Sequence, residues 1–271
     1  MTRSRRILIL APHPDDEVVA CGVVASRARA AGARVFVLHL TTGLPRAASR
    51  PGSYAARVAR RRAEAAKAAA LLGLTPTGFL DIPARRLLDH LDEAAAAANS
   101  AIGRIDPDCL WVPAFEGAHQ DHDAASALAA RCAGGRPVRE FAAYNLAGGR
   151  VRSNRFAGVR GGETVAALAP DEIALKRRAL DVYASERRNL GHIRLVEEAW
   201  RPLPAHDYAA PPHPGTLFRE RFQWVPFRHP RIDFAPSAEV YRRLGRWAGA
   251  AALDSGEPSA GDGFRQHEGV R

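Results

Sequence analysis

The sequence has few cysteines, few lysines and no long hydrophobic run. Its 271 residues include three cysteines, Cys21, Cys109 and Cys132, and no CxxC pair. An odd number of scattered cysteines in apolar or alanine-rich stretches excludes a disulfide-built scaffold and is typical of packing thiols in a reducing compartment. No run of about eighteen apolar residues is present, so we expect no membrane-spanning segment. The basic start is followed by an apolar stretch too short for a signal peptide, and we predict a cytoplasmic protein.

Positive charge comes almost entirely from arginine, because Lys67 and Lys176 are the only lysines in a chain of formal net charge +10. A basic balance of this size is found in nucleic-acid-binding proteins. However, the sequence has neither a lysine-rich tract nor basic residues interleaved with aromatic ones. We therefore predict no nucleic-acid partner. The excess charge favours instead a small-molecule substrate that carries an acidic group such as phosphate or carboxylate.

Strand-like and helix-like segments alternate through the first half of the chain. This alternation predicts an α/β, Rossmann-like fold with a mostly parallel sheet and helices on both faces. The strand order 3-2-1-4-5 is expected for such a doubly wound sheet. The predicted strands are Arg6–Ala11, Ala33–Thr41, Thr77–Asp81, Cys109–Pro113 and Arg139–Asn145, and the predicted helices are Asp15–Ala31, Tyr54–Leu72, Leu87–Ile102 and Ala124–Cys132.

Beyond residue 150 the pattern is weaker, and it predicts an extension on the C-terminal side of the core. We predict helices at Asp171–Glu186, Leu195–Trp200 and Ala238–Leu253, and a strand at Leu217–Trp224. The predicted division is a Rossmann-like core at 1–190, an extension that shapes the pocket at 191–253, and a disordered tail at 254–271.

Two clusters of histidine and carboxylate follow the first and the fourth predicted strands. The first is His13-Pro14-Asp15-Asp16-Glu17, and the second is His119-Gln120-Asp121-His122. In the expected strand order these strands are neighbours, and ligands bind at the carboxyl ends of the strands at this switch point. Burying several carboxylates at a strand end costs several kcal/mol unless a cation neutralises them. The two clusters are therefore predicted to form one metal site.

His13, Asp16 and His122 supply three ligands and leave a position for water, which is the arrangement of catalytic zinc sites. Zinc in such a site is expected to lower the pKa of water to roughly 7 and to polarise a carbonyl group. Asp15 is expected beside the metal as the general base.

The remaining polar residues of the clusters have supporting roles in this prediction. His119 is expected either to stabilise an oxyanion or to protonate a leaving amine. Asp121 is expected to hold the tautomer of a histidine by accepting its second N–H. Glu17 is expected either to support the metal-site residues from behind or to support the start of the first helix.

These motifs resemble those of the LmbE/PIG-L family of zinc-dependent N-deacetylases. The likeness covers roughly residues 5–190, including the helix at 61–73 and the stretch 179–186. It implies a Rossmann-like sheet and removal of acetyl groups from N-acetylglucosaminyl compounds. It also implies a zinc ion, a base and an oxyanion stabiliser at the residues already named: His13, Asp16 and His122 for zinc, Asp15 for the base and His119 for the oxyanion.

Two further residues match family positions, whereas Gly117 departs from the family pattern. Arg61, in an ArgXaaXaaGlu pattern with Glu64, and Asp81 match positions that contact the sugar in some members. Gly117 stands where some members have a tyrosine that assists the oxyanion. Another donor must therefore serve in this chain, or His119 acts alone.

The predicted activity is zinc-dependent hydrolysis of an N-acetyl group on an amino sugar or amino-sugar conjugate, giving acetate and a free amine. One alternative is an amidase that cleaves a larger amide conjugate at the same site. The alternative from another class is a basic nucleic-acid-binding protein on the same scaffold.

Overall fold

The computed structural model describes residues 5–46, 52–222 and 235–254. Strands and helices alternate through the first 141 residues, as the sequence pattern predicts. The strands are β1 (Arg6–Ala11), β2 (Arg34–His39), β3 (Thr75–Phe79), β4 (Cys109–Pro113), β5 (Val138–Phe141), β6 (Tyr144–Asn145), β7 (Arg152–Ser153), β8 (Thr164–Ala167) and β9 (Glu197–Pro202). The α-helices are α1 (Asp16–Ala30), α2 (Tyr54–Leu72), α3 (Leu91–Ile105), α4 (Gln120–Cys132), α5 (Pro170–Asp181), α6 (Arg187–Leu190) and α7 (Ser237–Asp254), and short 3₁₀ helices lie at Leu87–Asp89, Ala147–Gly149 and Phe218–Glu220.

A seven-stranded sheet has the order β3-β2-β1-β4-β5-β9-β8, which confirms the predicted order of its first five strands. Those five strands are parallel, whereas β9 runs antiparallel to both β5 and β8. Both faces of the sheet are covered, which explains the nearly continuous apolar sequences of β1, β2 and β4. Alternate residues of β1 therefore enter different cores. Leu8 and Leu10 pack with α3, α4 and α7, and Ile7 and Ile9 pack with α1, α2 and α5.

Two predictions for the C-terminal part were wrong in type. Leu195–Trp200 was predicted as a helix, but most of it lies in β9, because the free edge of β5 offers backbone partners that only the folded sheet provides. The described part of Leu217–Trp224 holds a 3₁₀ turn instead of a strand, and residues 223 and 224 lie outside the described residues. A strand of the main sheet therefore comes from beyond residue 190. The domain division itself stays a prediction, and residues 255–271 of its predicted tail lie outside the described residues.

Helix α1 is broken at Cys21, whose φ and ψ are −150° and 16°. The break frees the carbonyl oxygen of Val19 from the helical pattern. Two buried side chains from the C-terminal half satisfy this oxygen: Asn154 Nδ2 donates to it over 2.7 Å and Lys176 Nζ over 3.0 Å. The first turns of α1, which carry the acidic motif, therefore end on caps supplied from elsewhere in the chain.

The second piece of α1 is capped by Glu198 of β9. Its carboxylate accepts the backbone N–H groups of Val23 and Val24 over 3.1 and 2.8 Å. Lys176 neutralises this carboxylate at 2.8 Å, and both side chains are fully buried. The C-terminal half thus supports the helix that begins at the first motif.

Candidate metal centre

The fold brings the two predicted clusters together. The first cluster follows β1, the second follows β4, and these strands are hydrogen-bonded neighbours. Helix α4 begins at Gln120, earlier than predicted, so the second cluster forms its first turn and His119 its N-cap. The residues that meet in this way are His13, Asp15 and Asp16 with His119, Asp121 and His122.

His13, Asp16 and His122 can offer one ligand atom each within 4.8 Å of one another. Asp16 lies between the two rings, with Oδ2 at 2.9 Å from His13 Nδ1 and Oδ1 at 3.1 Å from His122 Nε2. His122 is fully buried, yet neither ring nitrogen has an aligned hydrogen-bond partner among the described residues. Buried polar atoms normally have partners. The donor set and this unsatisfied imidazole therefore fit a bound metal ion.

A second group, His13, His119 and Asp121, also has ligand atoms within 4.8 Å of one another. In this group the acceptor atoms of Asp121 and His119 already receive hydrogen bonds from the backbone. The two carboxylate oxygens of Asp121 accept backbone N–H groups of Arg85 and Leu87 over 2.6 and 3.2 Å, and His119 Nδ1 accepts the N–H of Asp121 over 3.1 Å. Asp121 Oδ2 also lies 3.0 Å from His13 Nε2. This is the contact that a tautomer-holding role requires, so the group with His122 fits a metal better.

Asp15 is strained and buried beside the candidate metal ligands His13, Asp16 and His122. Its φ of 134° lies outside the regions that side-chain-bearing residues normally adopt, at a cost of about 1–3 kcal/mol. Its Oδ2 lies 3.4 Å from Arg61 Nη1. Burial and the neighbouring Asp16 raise the pKa of Asp15 well above its usual range, and Arg61 opposes this shift only in part. A carboxylate with increased proton affinity is suited to accept a proton from water.

The charges of the cluster call for a cation. Burial lowers the pKa of His13, but Asp16 and Asp121 together outweigh burial and raise this pKa to about 10. Burial alone would raise the pKa of Asp16, whereas His122 and His13 hold it well below its usual range. Without a metal the carboxylates therefore keep a proton on His13. A divalent ion would replace this proton as the source of positive charge.

His119 is held as a neutral donor. Burial, with His13 and His122 nearby, lowers the pKa of His119 well below its usual value. Because Nδ1 accepts a backbone N–H, the hydrogen-bond pattern assigns the proton of the neutral ring to Nε2. The ring packs edge-on against His13, with 4.5 Å between the ring centroids.

A pocket of about 280 Å³ opens above these residues. Its floor is polar and its walls are partly apolar, while arginines lie among the lining residues. The floor includes His13, Asp15, Asp16 and His119; Leu44, Tyr144, Phe218 and Phe222 line the walls; the arginines are Arg61, Arg85, Arg188 and Arg221.

The two residues predicted to contact substrate are placed differently. Arg61 lines the pocket but is only 1% exposed, and its guanidinium contacts Asp15 and Glu186. Asp81 is not among the lining residues; its side chain is 85% exposed and pairs with Arg62 at 2.6 Å. The structure therefore brings Arg61, and not Asp81, to the pocket.

Tyr144 and His192 line the pocket and were not predicted as site residues. The ring of Tyr144 lies 5.4 Å from the ring of His122 and 5.0 Å from that of His192. Among the described residues, none hydrogen-bonds the hydroxyl of Tyr144. Burial raises the pKa of Tyr144 well above its usual value. Its position just beyond β5, at the carboxyl edge of the sheet, was the available signal. It was missed because Tyr144 was assigned to the strand itself.

A side chain at position 117 would be strained in this fold. The φ of Gly117 is +66°, and a Cβ atom built on it would lie 2.7 Å from Leu217 Cδ2. Leu217 comes from the C-terminal part of the chain and occupies the space into which a side chain at 117 would project. The departure from the family pattern therefore has a steric cause.

Comparisons with known proteins agree with this architecture. Residues 8–133, which include both clusters, match the PIG-L family model, described as GlcNAc-PI de-N-acetylase. No curated protein sequence matches the chain. Among the described helices, none is long and apolar enough to cross a membrane.

Solved structures with the same fold have low sequence identity to this chain. A deacetylase of the teicoplanin biosynthesis pathway is 20% identical, with 73% of this chain and 97% of that chain covered and a TM-score of 0.57. The N,N'-diacetylchitobiose deacetylase from Pyrococcus horikoshii is 17% identical, with 74% and 84% covered and a TM-score of 0.54. The 4-carboxy-2-hydroxymuconate hydratase from Pseudomonas putida KT2440 is also 17% identical, with 74% and 97% covered and a TM-score of 0.54. One fold therefore carries different reactions, and the reaction must be argued from the site.

Proposed function

We propose that this chain, whose residues 8–133 match the PIG-L family model, is a metal-dependent hydrolase that removes an N-acetyl group from an amino sugar or amino-sugar conjugate. The observation that carries this proposal is the buried group of His13, Asp16 and His122, two of whose members, His13 and Asp16, line a pocket together with Asp15.

The names of proteins with this fold support the substrate class. One is an N,N'-diacetylchitobiose deacetylase, and a teicoplanin-pathway deacetylase was solved in complex with teicoplanin. The hydratase of the same fold is the reason to rest the reaction on the site. A buried base next to a metal group and a neutral donor is what hydrolysis of an amide requires.

Zinc is the metal that we propose, because two imidazoles and one carboxylate are a ligand set that zinc prefers. His13, Asp16 and His122 would hold it, and when bound it would supply the Lewis acidity that acidifies water and polarises the acyl carbonyl. One structure of this fold is described as the zinc-inhibited form of the teicoplanin deacetylase. Zinc titration of this chain should therefore run from below one equivalent to excess.

The side chains have complementary tasks in the proposed reaction. Asp15 takes a proton from the attacking water, whose oxygen forms a bond to the carbonyl carbon of the amide. His119 donates its Nε2–H to the oxyanion of the tetrahedral intermediate. The proton held by Asp15 then passes to the nitrogen as the C–N bond breaks, which gives acetate and a free amine. The hydroxyl of Tyr144, which has no described partner, is the further donor that we assign in place of the tyrosine absent at 117.

The pocket suggests the size and charge of the substrate. Its volume of about 280 Å³ is at the small end of ligand sites and suits one acylated sugar ring. Arg188 on its lining is exposed, and we propose that an acidic group on the substrate, such as phosphate or carboxylate, binds there. The cytoplasmic location, the absence of a nucleic-acid partner and the sugar contacts of Arg61 and Asp81 stay predictions from the sequence.

The proposal is tested with a panel of N-acetylamino-sugar conjugates, scored for acetate release with and without a chelator. Asp15→Asn should lower kcat by roughly 10²–10⁴-fold, the range typical of a lost general base, while bound metal is unchanged. Glu93→Gln, on the exposed surface of α3, is the matched control and should keep full activity.

Three outcomes would contradict parts of the proposal. Near-normal turnover by Asp15→Asn would remove the base assignment. Release of a larger acid but no acetate would favour the amidase alternative. Salt-dependent oligonucleotide binding that survives chelation would favour the nucleic-acid alternative.

A further inference from the structure

Glu17, the third carboxylate of the first motif, belongs neither to the metal group nor to the pocket lining, yet it is only 1% exposed. Both of its oxygens are engaged. Oε1 accepts the hydroxyl of Tyr183 over 2.6 Å, and Oε2 lies 3.2 Å from the backbone nitrogen of Asp15, which donates to it. Oε2 also lies 3.3 Å from His39 Nε2. An exposed cap at a helix start would not need these partners.

The side chains that hold Glu17 come from distant elements and are rigidly placed. His39 ends β2, and its ring stacks on Phe79 with 4.4 Å between centroids and 7° between planes. Tyr183 follows α5. Both are fully buried. The position of the Glu17 carboxylate is therefore set by the packed sheet and by α5, and not by the local turn.

The contact between Glu17 and the Asp15 amide bears on the strained backbone of Asp15. The φ of 134° at Asp15 sets the angle between its N–H and its side chain. With the N–H directed to Glu17, the carboxylate is directed to the pocket, where Arg61 Nη1 lies 3.4 Å from Oδ2. Arg61 Nη1 also donates to the carbonyl of Pro14 over 3.2 Å. Asp15 is thus held at its amide from one side and at its carboxylate from the other.

We propose that Glu17, held by Tyr183 and His39, is a positioning residue that keeps Asp15 in its strained conformation and so presents its carboxylate to the reacting water. The inference rests on the proposed function for the identity of the reaction. The conformation of Asp15 can be followed separately, because its amide hydrogen is bound to Glu17.

Tyr183→Phe tests the proposal, because it removes one hydroxyl and leaves Glu17 and the ring in place. Tyr208→Phe is the matched control: Tyr208 is also buried, its hydroxyl bonds Ser126 over 3.0 Å, and it lies in the other core, away from the pocket lining. The zinc-loaded full chain is measured for kcat, KM, bound metal and amide exchange at Asp15.

We expect Tyr183→Phe to lower kcat by at least 10-fold, since small misplacements of catalytic groups cost up to about 10²-fold, with KM and bound metal unchanged. Amide exchange at Asp15 should quicken in Tyr183→Phe only. Glu17→Gln, whose amide oxygen can still accept the Asp15 N–H, should retain more activity than Glu17→Ala.

Equal kcat values for Tyr183→Phe and Tyr208→Phe would overturn the inference, as would a loss of activity that follows loss of metal. If the wild-type chain releases no acid from any substrate, the proposed function fails instead. In that case exchange at Asp15 still decides: equal rates in the two variants would overturn the role of Glu17, and faster exchange in Tyr183→Phe alone would support it.

Discussion

Replacing Lys176 by methionine should strongly destabilise this fold. The ammonium group is fully buried, lies 2.8 Å from Glu198 and donates to the carbonyl of Val19. Methionine fills a similar space but leaves the Glu198 carboxylate buried without a cation. Breaking a buried ion pair in this way costs about 3–5 kcal/mol, a large part of the roughly 5–15 kcal/mol that stabilise most domains.

The free energy of unfolding from urea titration measures this loss. The double variant Lys176→Met/Glu198→Gln should recover part of it, because a neutral amide does not need the cation while its oxygen can still cap α1. Arg27→Met is the control, since Arg27 is 41% exposed in its pair with Glu172 and should cost less than about 1 kcal/mol.

The same variant should weaken zinc binding. Lys176 supports the break in α1, and the first turns of this helix carry Asp16. A loss of stability in Lys176→Met below about 1 kcal/mol, or equal losses in the single and double variants, would refute the reasoning that this charge pair supports the motif.

Three further predictions concern single positions. Burial raises the pKa of Glu116 to about 8, so the folded protein holds a proton that the unfolded chain releases. The free energy of unfolding therefore falls as pH rises from about 4.5 to about 8. Glu116→Gln should flatten this fall in urea titrations across that range, and an unchanged slope would contradict it. Gly117→Ala should lower Tm by an amount equivalent to about 1–3 kcal/mol, because of its positive φ and the contact with Leu217, whereas Gly103→Ala on the exposed side of α3 should raise Tm. Zinc should raise the Tm of the wild-type chain by an amount equivalent to about 4 kcal/mol at a thousandfold excess over Kd, and an equal rise in His122→Ala would exclude this histidine as a ligand.

The cluster of His13, Asp16 and His122 could be predicted because its two halves follow strand ends. Apolar runs of five or six residues identified β1 and β4, and both were placed at the residues where the structure has them. In a doubly wound sheet these strands are neighbours, so His13 and His122 could be brought together without a contact being known.

The incorrect sequence predictions have physical causes that the local pattern of residues does not contain. The β9 segment was predicted as a helix, but its Glu198 is fully buried and neutralised by Lys176, a contact that only the folded chain provides. Tyr144 was assigned to the fifth predicted strand, but β5 ends at Phe141 and Tyr144 begins the separate strand β6 at the pocket. The ion pairs of Arg61 with Asp15 and Glu186 also lie outside the local pattern, because they join distant elements.

By itself the sequence determined the residue types of the cluster, the strand-to-helix turns that carry them and the strand order that joins them, because these depend on residue periodicity and spacing. Only the tertiary structure decided the surroundings of each carboxylate. Asp16 lies between two histidines, Asp15 is held against Arg61, and Glu17 meets Tyr183, which is 166 residues away in the chain. These contacts depend on how distant elements pack, because the pKa and orientation of a buried carboxylate follow from the groups around it and not from its neighbours in sequence.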